Sequence, residues 1–592
     1  MSRENGGAVI GDILSARGIE HLFTLCGGHI SPILVEAKAR GIRVVDVRDE
    51  VTSVFAADAV ARMTGKPGVA AVTAGPGVTN TVTAVKNAQM AQSPVLIFGG
   101  ATATVLKGRG SLQDIDQLSL MRPITKWATS VKTLASLGPT VERALDVAAG
   151  GVPGPVFIEV PVDLLYREEV VREWYLKEAG VENPKNLTGK ALQLYLRGHL
   201  YRQFHAPSIG TEIQNAVEEV MPRLRNGGGG HIVKVGQVAN EVRSAQRPVL
   251  VIGSQALVNL REPEALASAV ESLGMPTYLG GMARGLLGAG SKIQFRHKRS
   301  KALKEADLVI VCGFPFDFRL GYGRSIGSKV KLVAANLSPT ELKKNRRPDI
   351  SVELHPGRFL QDLAATLGGT DDHDRWGSWF DSLRERETAR DAEIVEQAKA
   401  APEPGRVNPL DFFVKLENHL GNDAVLVVDG GDFVATASYI LRPRGPLRWL
   451  DPGVFGTLGV GGGFATGAAA VHPKSEVWLI YGDGSSAYSL AEFDTYVRHG
   501  MAPIAVIGTD AEWAQIAREQ TQILGDDVGC ILRRTSYEEV AKGYGGEGLL
   551  LDDPAKIEET IARAKELSAA GKPVCINVQI GRSEFRKGSI SM

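Results

Sequence analysis

The chain has 592 residues, too many for one hydrophobic core, and the usual size of domains predicts three or four of them. Hydrophobic residues make up 44%, and Lys+Arg balance Asp+Glu at 67 each. That balance leaves no overall field to gather nucleic acid or an anionic membrane, so any anionic ligand has to be held locally. The four cysteines, Cys26, Cys312, Cys530 and Cys575, lack metal-ligand spacing and read as reduced structural thiols. The opening stretch MSRENGGAVIGDILSARG has no long apolar core or cleavage pattern, and no run of about 20 apolar residues occurs anywhere. These features predict a soluble, cytoplasmic protein with no membrane partner.

In chain order, short apolar runs alternate with helical stretches. The first set is 44–45, 69–72, 95–98 and 156–160, the second is 249–252, 308–311 and 330–334, and the third is 425–428, 477–481, 504–507 and 574–578. This is the rhythm of parallel strands covered by helices on both faces, and it predicts three doubly wound α/β domains. The boundaries fall at 1–166, 231–368 and 407–580. A polar stretch, 167–230, ends in the glycines 227–230 and reads as an insertion plus linker; 369–406, charged and then proline-bearing, reads as a second linker. Residues 581–592 form a polar tail. No short repeat is visible, which argues against a solenoid.

The most informative segment is LIYGDGSSAYSLAEFDTYVRHGMAPIAVIGTDAEW. An apolar strand runs straight into Gly482, Asp483, Gly484, Ser485 and Ser486, so backbone N–H groups and hydroxyls can approach a phosphate while Asp483 offers oxygen to a hard cation. Asp510 follows 510 − 483 = 27 positions later, after the next strand. Two adjacent parallel strands would then bring two carboxylates to one sheet edge. A lone Gly-Asp-Gly is equally a turn.

With a strand before each half, this spacing resembles the cofactor motif of the thiamine-diphosphate (ThDP) enzymes of the pyruvate decarboxylase and acetolactate synthase type. The resemblance implies Mg²⁺ held by Asp483, Asp510 and the carbonyl of Glu512. Thr509-Asp510 stands where the family mostly has Asn-Asn, which leaves the loop geometry open. The segment RVVDVRDEVTSVFAADAVARMTG is similar to the family's activating-glutamate stretch and implies that Glu50 meets the cofactor's pyrimidine; alone, Glu50 is also a helix N-terminal charge. DPGVFGTLGVGGGFATGAA implies a carbonyl contact from Gly456 and a wedge from Leu458, TAGPGVTN places Gly75 and Asn80 beside the cofactor, and VVDGGDFV adds Asp432 and Phe433. A glycine-rich turn with a core Leu fits the same residues.

Longer stretches, among them MAQSPVLIFGGATATVLKGRGSLQDIDQLSLMRPITKW and RPRGPLRWLDPGVFGTLGVG, are similar to the branch described as acetolactate synthase-like or 2-hydroxyacyl-CoA lyase. That resemblance implies cleavage of 2-hydroxyacyl-CoA to formyl-CoA and an aldehyde or ketone. Such a cleavage needs a base for the 2-hydroxyl proton, and His29 in TLCGGHISPIL stands where relatives place an acid/base residue. Gln113 matches a substrate-facing glutamine, and Trp513, Gln515 and Ile516 follow the metal loop where relatives line the cavity. A turn histidine and a core tryptophan are the plain structural alternatives. Arg284, Arg296, Lys298, Arg299 and Arg319 are candidates for the ADP portion of CoA or for ADP itself in the central domain, FAD fitting less well, although charge runs are usually solvated faces. Arg582, Arg586 and Lys587 in the tail suggest a lid or a loose terminus. The resemblance further implies a homodimer as the minimum unit and a homotetramer as the assembly. Two other readings stay open: an acetolactate synthase-like carboligase acting on 2-keto acids, and a catalytically silent regulatory subunit of the same fold.

Overall fold

A computed structural model describes residues 5–206, 230–368, 373–581, 583 and 585–586. Three six-stranded sheets organise the chain, and every pairing between their strands is parallel. The first contains β1 (His21–Thr24), β2 (Arg43–Asp46), β3 (Gly68–Val72), β4 (Val95–Ala101), β5 (Trp127–Ser130) and β6 (Val156–Pro161), in the order β2-β1-β3-β4-β6-β5. The second contains β7 (Pro248–Ile252), β8 (Thr277–Leu279), β9 (Gln294–Phe295), β10 (Leu308–Cys312), β11 (Lys331–Asn336) and β12 (Ile350–Glu353), ordered β12-β11-β10-β7-β8-β9. The third contains β13 (Val425–Val428), β14 (Trp449–Leu450), β15 (Val477–Gly482), β16 (Ile504–Thr509), β17 (Glu547–Leu551) and β18 (Val574–Gln579), ordered β14-β13-β15-β16-β18-β17. One compact unit holds the first sheet and another holds the second and third.

The central strands read as unbroken apolar runs because helices cover both their faces. PVLVI of β7, LVIVC of β10 and VLVV of β13 are buried at every position. Each fully buried Val, Leu or Ile contributes roughly 1.5–3 kcal/mol of transfer free energy before entropy is counted. The three expected doubly wound domains are present. The first and third sheets share one order, shifted by twelve in strand number. The second, counted from its own first strand, runs 6-5-4-1-2-3, the arrangement that opens a crevice at the carboxyl ends of its first and fourth strands, β7 and β10.

The two connecting stretches hold regular structure. Helices Glu168–Glu178 and Leu187–His205 occupy much of 167–206. Most of 369–406 is a single helix, His373–Ala398, and this stretch is more than a connector. Its Trp376 and Trp379 are buried in the central-domain cores, their indole N–H groups donating to the carbonyls of Ala245 and Pro248 at 3.0 and 3.1 Å. The glycines 227–229 and the tail residues Arg582 and Lys587 lie outside the described residues, while Gly230 begins the helix Gly230–Ser244. All four cysteines are free, Cys26 exposed and the other three buried. Among the described residues no helix is long and apolar enough to cross a membrane.

Candidate active site

Parallel strands deliver their carboxyl ends to one edge of a sheet, so residues just after each strand become neighbours. In the third sheet Asp483 begins the short helix that follows β15, and Asp510 follows β16 directly. Asp483 is 2% exposed; its Oδ1 accepts from Gly484 N and its Oδ2 from Ala511 N, both at 2.8 Å. Ala511 sits in the left-handed region, φ +65°, which turns the backbone between Asp510 and Glu512. Burial pushes the Asp483 carboxyl up to about 6. Burial, followed by the charge of Asp483, pushes Asp510 up to about 8. Among the described residues neither carboxylate has an ion pair with lysine or arginine. Two buried carboxylates that repel one another, with the charge of Arg534 offsetting the penalty only in part, fit a divalent metal, whose charge would relieve both penalties.

Gly484 leaves room beside this pair that no other residue could. A Cβ there would overlap the ring of Trp513, so tryptophan and glycine are in direct contact. The Ser485 hydroxyl bridges Gly482 N and the carbonyl of Gly430 at 3.1 and 3.2 Å. Thr509, the departure from the family pattern, turns inward and donates to Asn577 Oδ1 at 2.6 Å, which pins the end of β16 to β18. Arg534 donates to the carbonyl of Thr509 at 2.7 Å and braces the same loop. If each carboxylate gives a metal one oxygen, Asp483→Ala or Asp510→Ala is expected to raise the Mg²⁺ concentration needed for half-maximal ThDP binding by about tenfold or more, on the order of one lost charge-assisted contact, with partial recovery in excess Mg²⁺. Unchanged metal dependence in both variants would place the ligands elsewhere.

Asp429, at the end of β13, is a residue the sequence reading passed over. Its carboxylate accepts from Gly459 N at 3.0 Å and Gly461 N at 2.7 Å, at the start of helix Val460–Val471, and burial pushes it up to about 7. It thereby fixes the turn carrying Gly456 and Leu458, and Leu458 packs onto Gly430. The signal was present as an Asp closing an apolar strand just before Gly-Gly. Asp432 and Phe433, expected beside the cofactor, also engage other side chains. Arg518 grips the Asp432 carboxylate with two N–H groups at 2.9 and 3.1 Å, and Arg586 of the tail approaches it at 3.8 Å. Phe433 is buried against Gly508 with Phe412 and Phe413, as part of the core. Gln515 and Ile516 lie on helix Ala514–Leu524 beyond Trp513, Ile516 largely exposed.

The first sheet gathers its own set. Glu50 opens helix Glu50–Thr64 and is 8% exposed, with Asn80 Nδ2 donating to its Oε2 at 3.0 Å. Thr73, just beyond β3, links the cluster: its Oγ1 lies 3.2 Å from Nδ1 of His29, and a Cβ on Gly77 would meet both Thr73 and Glu50 Oε1. Burial lowers the pKa of His29 from its ordinary value. Gly75 abuts the backbone of Gln113, which itself has φ +63°. His29, Glu50, Gly75, Asn80 and Gln113 therefore share one sheet edge.

In the second sheet Arg299 and Arg319 flank the Phe314 ring just beyond β10, with guanidinium carbons 5.5 and 4.7 Å from its centre. Arg299 donates to the Arg319 carbonyl at 2.6 Å, while Asp317 partly offsets Arg319 through contacts of 2.6–3.2 Å. Burial, then the charges of Arg284 and Arg319, lower Arg299 to about 10. Arg284 instead spans to the third domain, donating to Ser438 O at 2.9 Å and lying over the Trp449 ring. Arg296 similarly donates to the carbonyls of Ile440 and Tyr439. Of the basic residues flagged in the sequence, then, Arg299 and Arg319 are brought together at the crevice, whereas Arg284 and Arg296 join domains.

Residues 4–120, 235–363 and 429–578 match, in turn, the thiamine pyrophosphate enzyme N-terminal TPP binding domain, central domain and C-terminal TPP binding domain. The chain is 47% identical to 2-hydroxyacyl-CoA lyase 2 of Danio rerio, across all of this chain and 94% of that protein. It is 48% identical to 2-hydroxyacyl-CoA lyase 2 of Caenorhabditis elegans, across all of this chain and 92% of that one. A probable acetolactate synthase of Mycobacterium bovis is 33% identical across 97% of this chain and 95% of its own length.

Proposed function

The chain belongs to the thiamine pyrophosphate enzyme family, and from that premise we propose that it is a ThDP- and Mg²⁺-dependent carbon–carbon lyase that cleaves 2-hydroxyacyl-CoA to formyl-CoA and an aldehyde or ketone. Full-length identity of 47–48% to two proteins of that name carries the substrate assignment. Bound in the site, the cofactor supplies a nucleophilic carbon and an electron sink. The protein does the rest. Asp483, Asp510 and the Glu512 carbonyl would hold the metal, and Gly482, Gly484 and Ser485 would line the diphosphate side. Glu50, steadied by Asn80, would share a proton with the pyrimidine ring nitrogen. His29 takes the proton from the substrate's 2-hydroxyl as the carbon–carbon bond breaks, a role that requires its Nδ1–H to donate to Thr73 and so leaves Nε2 free. Gln113 offers its amide to the substrate.

A CoA substrate brings a diphosphate that needs cations, and Arg299 with Arg319, beside the ring of Phe314, supports its binding at the central crevice. Arg299→Gln is expected to raise KM for the CoA thioester while leaving ThDP affinity as it was; an unchanged KM would remove the crevice from substrate binding. Incubation with ThDP, Mg²⁺ and a panel of 2-hydroxyacyl-CoAs and 2-keto acids tests the whole assignment. Formyl-CoA release from the former is expected. Carbon dioxide from pyruvate with no formyl-CoA would turn the enzyme into a carboligase of the acetolactate synthase kind, and no product from either would make it a silent subunit. The proposed assembly is a homotetramer built on a homodimer, and light scattering that returned a monomer would refute it.

A further inference from the structure

Gln113 occupies an unfavourable backbone state. At φ +63° it lies in the left-handed region, which costs a non-glycine residue on the order of 1 kcal/mol and persists only where the surroundings impose it. The residue it rests on is Gly75, also left-handed at φ +63°, where a Cβ would come within 2.8 Å of the Gln113 carbonyl oxygen and 3.0 Å of its Cα. The N–H of Gly75 donates to Oε1 of Gln117 at 2.9 Å. Gln117, 2% exposed, uses its Nε2 to donate to the Gly100 carbonyl at 3.1 Å and to Glu159 Oε2 at 3.0 Å. Glu159, on β6 and 1% exposed, pairs through its other oxygen with Nζ of Lys107, which belongs to the same loop as Gln113.

The orientation of this amide is fixed by its partners. Reversed, the Gln117 NH₂ would face the Gly75 N–H, and its oxygen would face a carbonyl and a carboxylate, so all three contacts would become repulsive. One buried side chain thus ties together the segment that leaves β3, the end of β4 and the strand β6. The helix it begins, Gln117–Met121, is capped separately by Asp116, which accepts from Ser119 N, so the amide is not needed to start that helix. A buried carboxylate on a strand is costly unless paired and hydrogen-bonded, and here both of its partners converge on the loop of Gln113.

We propose that Gln117, backed by Glu159 and Lys107, is a positioning residue for the lyase reaction: it presses Gly75 against Gln113 and so holds Gln113 in the strained conformation that presents it to substrate. The proposal rests on the reading of Gln113 as substrate-facing, and the test separates the two. Gln117→Met keeps length and removes the hydrogen bonds. Its kcat/KM is expected to fall about 10- to 100-fold, the scale of a misplaced group about 1 Å out of position, while ThDP affinity measured by fluorescence quenching stays unchanged. In a double-mutant cycle with Gln113→Ala, the double variant should be no slower than Gln113→Ala alone, because the clamp acts only through Gln113. Additive losses would overturn the clamp while leaving Gln113 a substrate residue. A Gln113→Ala enzyme at the wild-type rate would overturn both, and so would be seen in the single variant. Should Gln117→Met not fold, Lys107→Met frees the same loop from its half-exposed side, and the same cycle applies: non-additivity with Gln113→Ala supports the clamp, and additivity overturns it.

Discussion

Glu50→Gln is expected to lower kcat by roughly 10²–10⁴-fold while ThDP and Mg²⁺ still bind, the range lost when a positioned proton-transfer group is removed. The physical reason lies in what the amide keeps and what it loses. Glutamine retains an oxygen that can accept from Asn80 Nδ2, now 3.0 Å from Oε2, and it fills the same nearly buried space at the head of helix Glu50–Thr64. It cannot exchange a proton. On the proposed assignment, cofactor affinity would rest mainly on metal and diphosphate contacts of Asp483, Asp510 and Ser485 in the third sheet, which the substitution does not touch. Two measurements decide: the binding isotherm for ThDP, expected near wild type, and turnover, expected to collapse. Wild-type turnover would remove Glu50 from cofactor activation. Lost binding with little change in turnover at saturating cofactor would make it a structural carboxylate.

The parts of the fold legible in the sequence were those buried on both faces. PVLVI, LVIVC, VLVV and VWLIYG announce β7, β10, β13 and β15 because a strand inside a covered parallel sheet carries apolar residues at every position. The strands that escaped notice lie mostly at sheet edges. β9 and β14 are two residues long, β5 is the mixed and only partly buried WATS, and β17 is partly exposed, so each has too short or too mixed a run to stand out. The helix His373–Ala398 was hidden by its charge, although Trp376 and Trp379 three positions apart were the trace of its buried face. In the site, glycine-flanked carboxylates such as Asp483 were visible because their chemistry and spacing coincide. Asp429, Thr73 and Gln117 were not, since each acts by gripping backbone N–H or another side chain across a gap of 32, 44 or 42 residues that only the folded sheet closes. What the sequence could not show for Asp432 and Phe433 is which way a helical side chain points, and these two meet Arg518 and the aromatic core.

His29→Ala is expected to slow cleavage of 2-hydroxyacyl-CoA by roughly 10²–10⁴-fold. The ring is half-buried beyond β1, with Nδ1 3.2 Å from Thr73 Oγ1, and burial lowers its pKa below the ordinary value of 6.5. The sign of the pH dependence follows. A base must be neutral to accept a proton, and a lowered pKa keeps the imidazole neutral to a more acidic pH than an exposed histidine would allow. The wild-type kcat/KM should therefore be flat through neutral pH and fall only below about 6.5 as the ring gains its proton, and the variant should lose that acid limb along with the rate. Proton–deuterium exchange of the bound cofactor, which on the proposed assignment depends on Glu50 and not on the substrate base, should remain near normal in His29→Ala. Collapse of exchange together with turnover would mean that His29 organises the cofactor, and the substrate base would then be sought at Gln515 with a bound water. Retention of both rates and of the acid limb would leave His29 a turn residue beside Thr73, with the proposed proton transfer assigned to the wrong side chain.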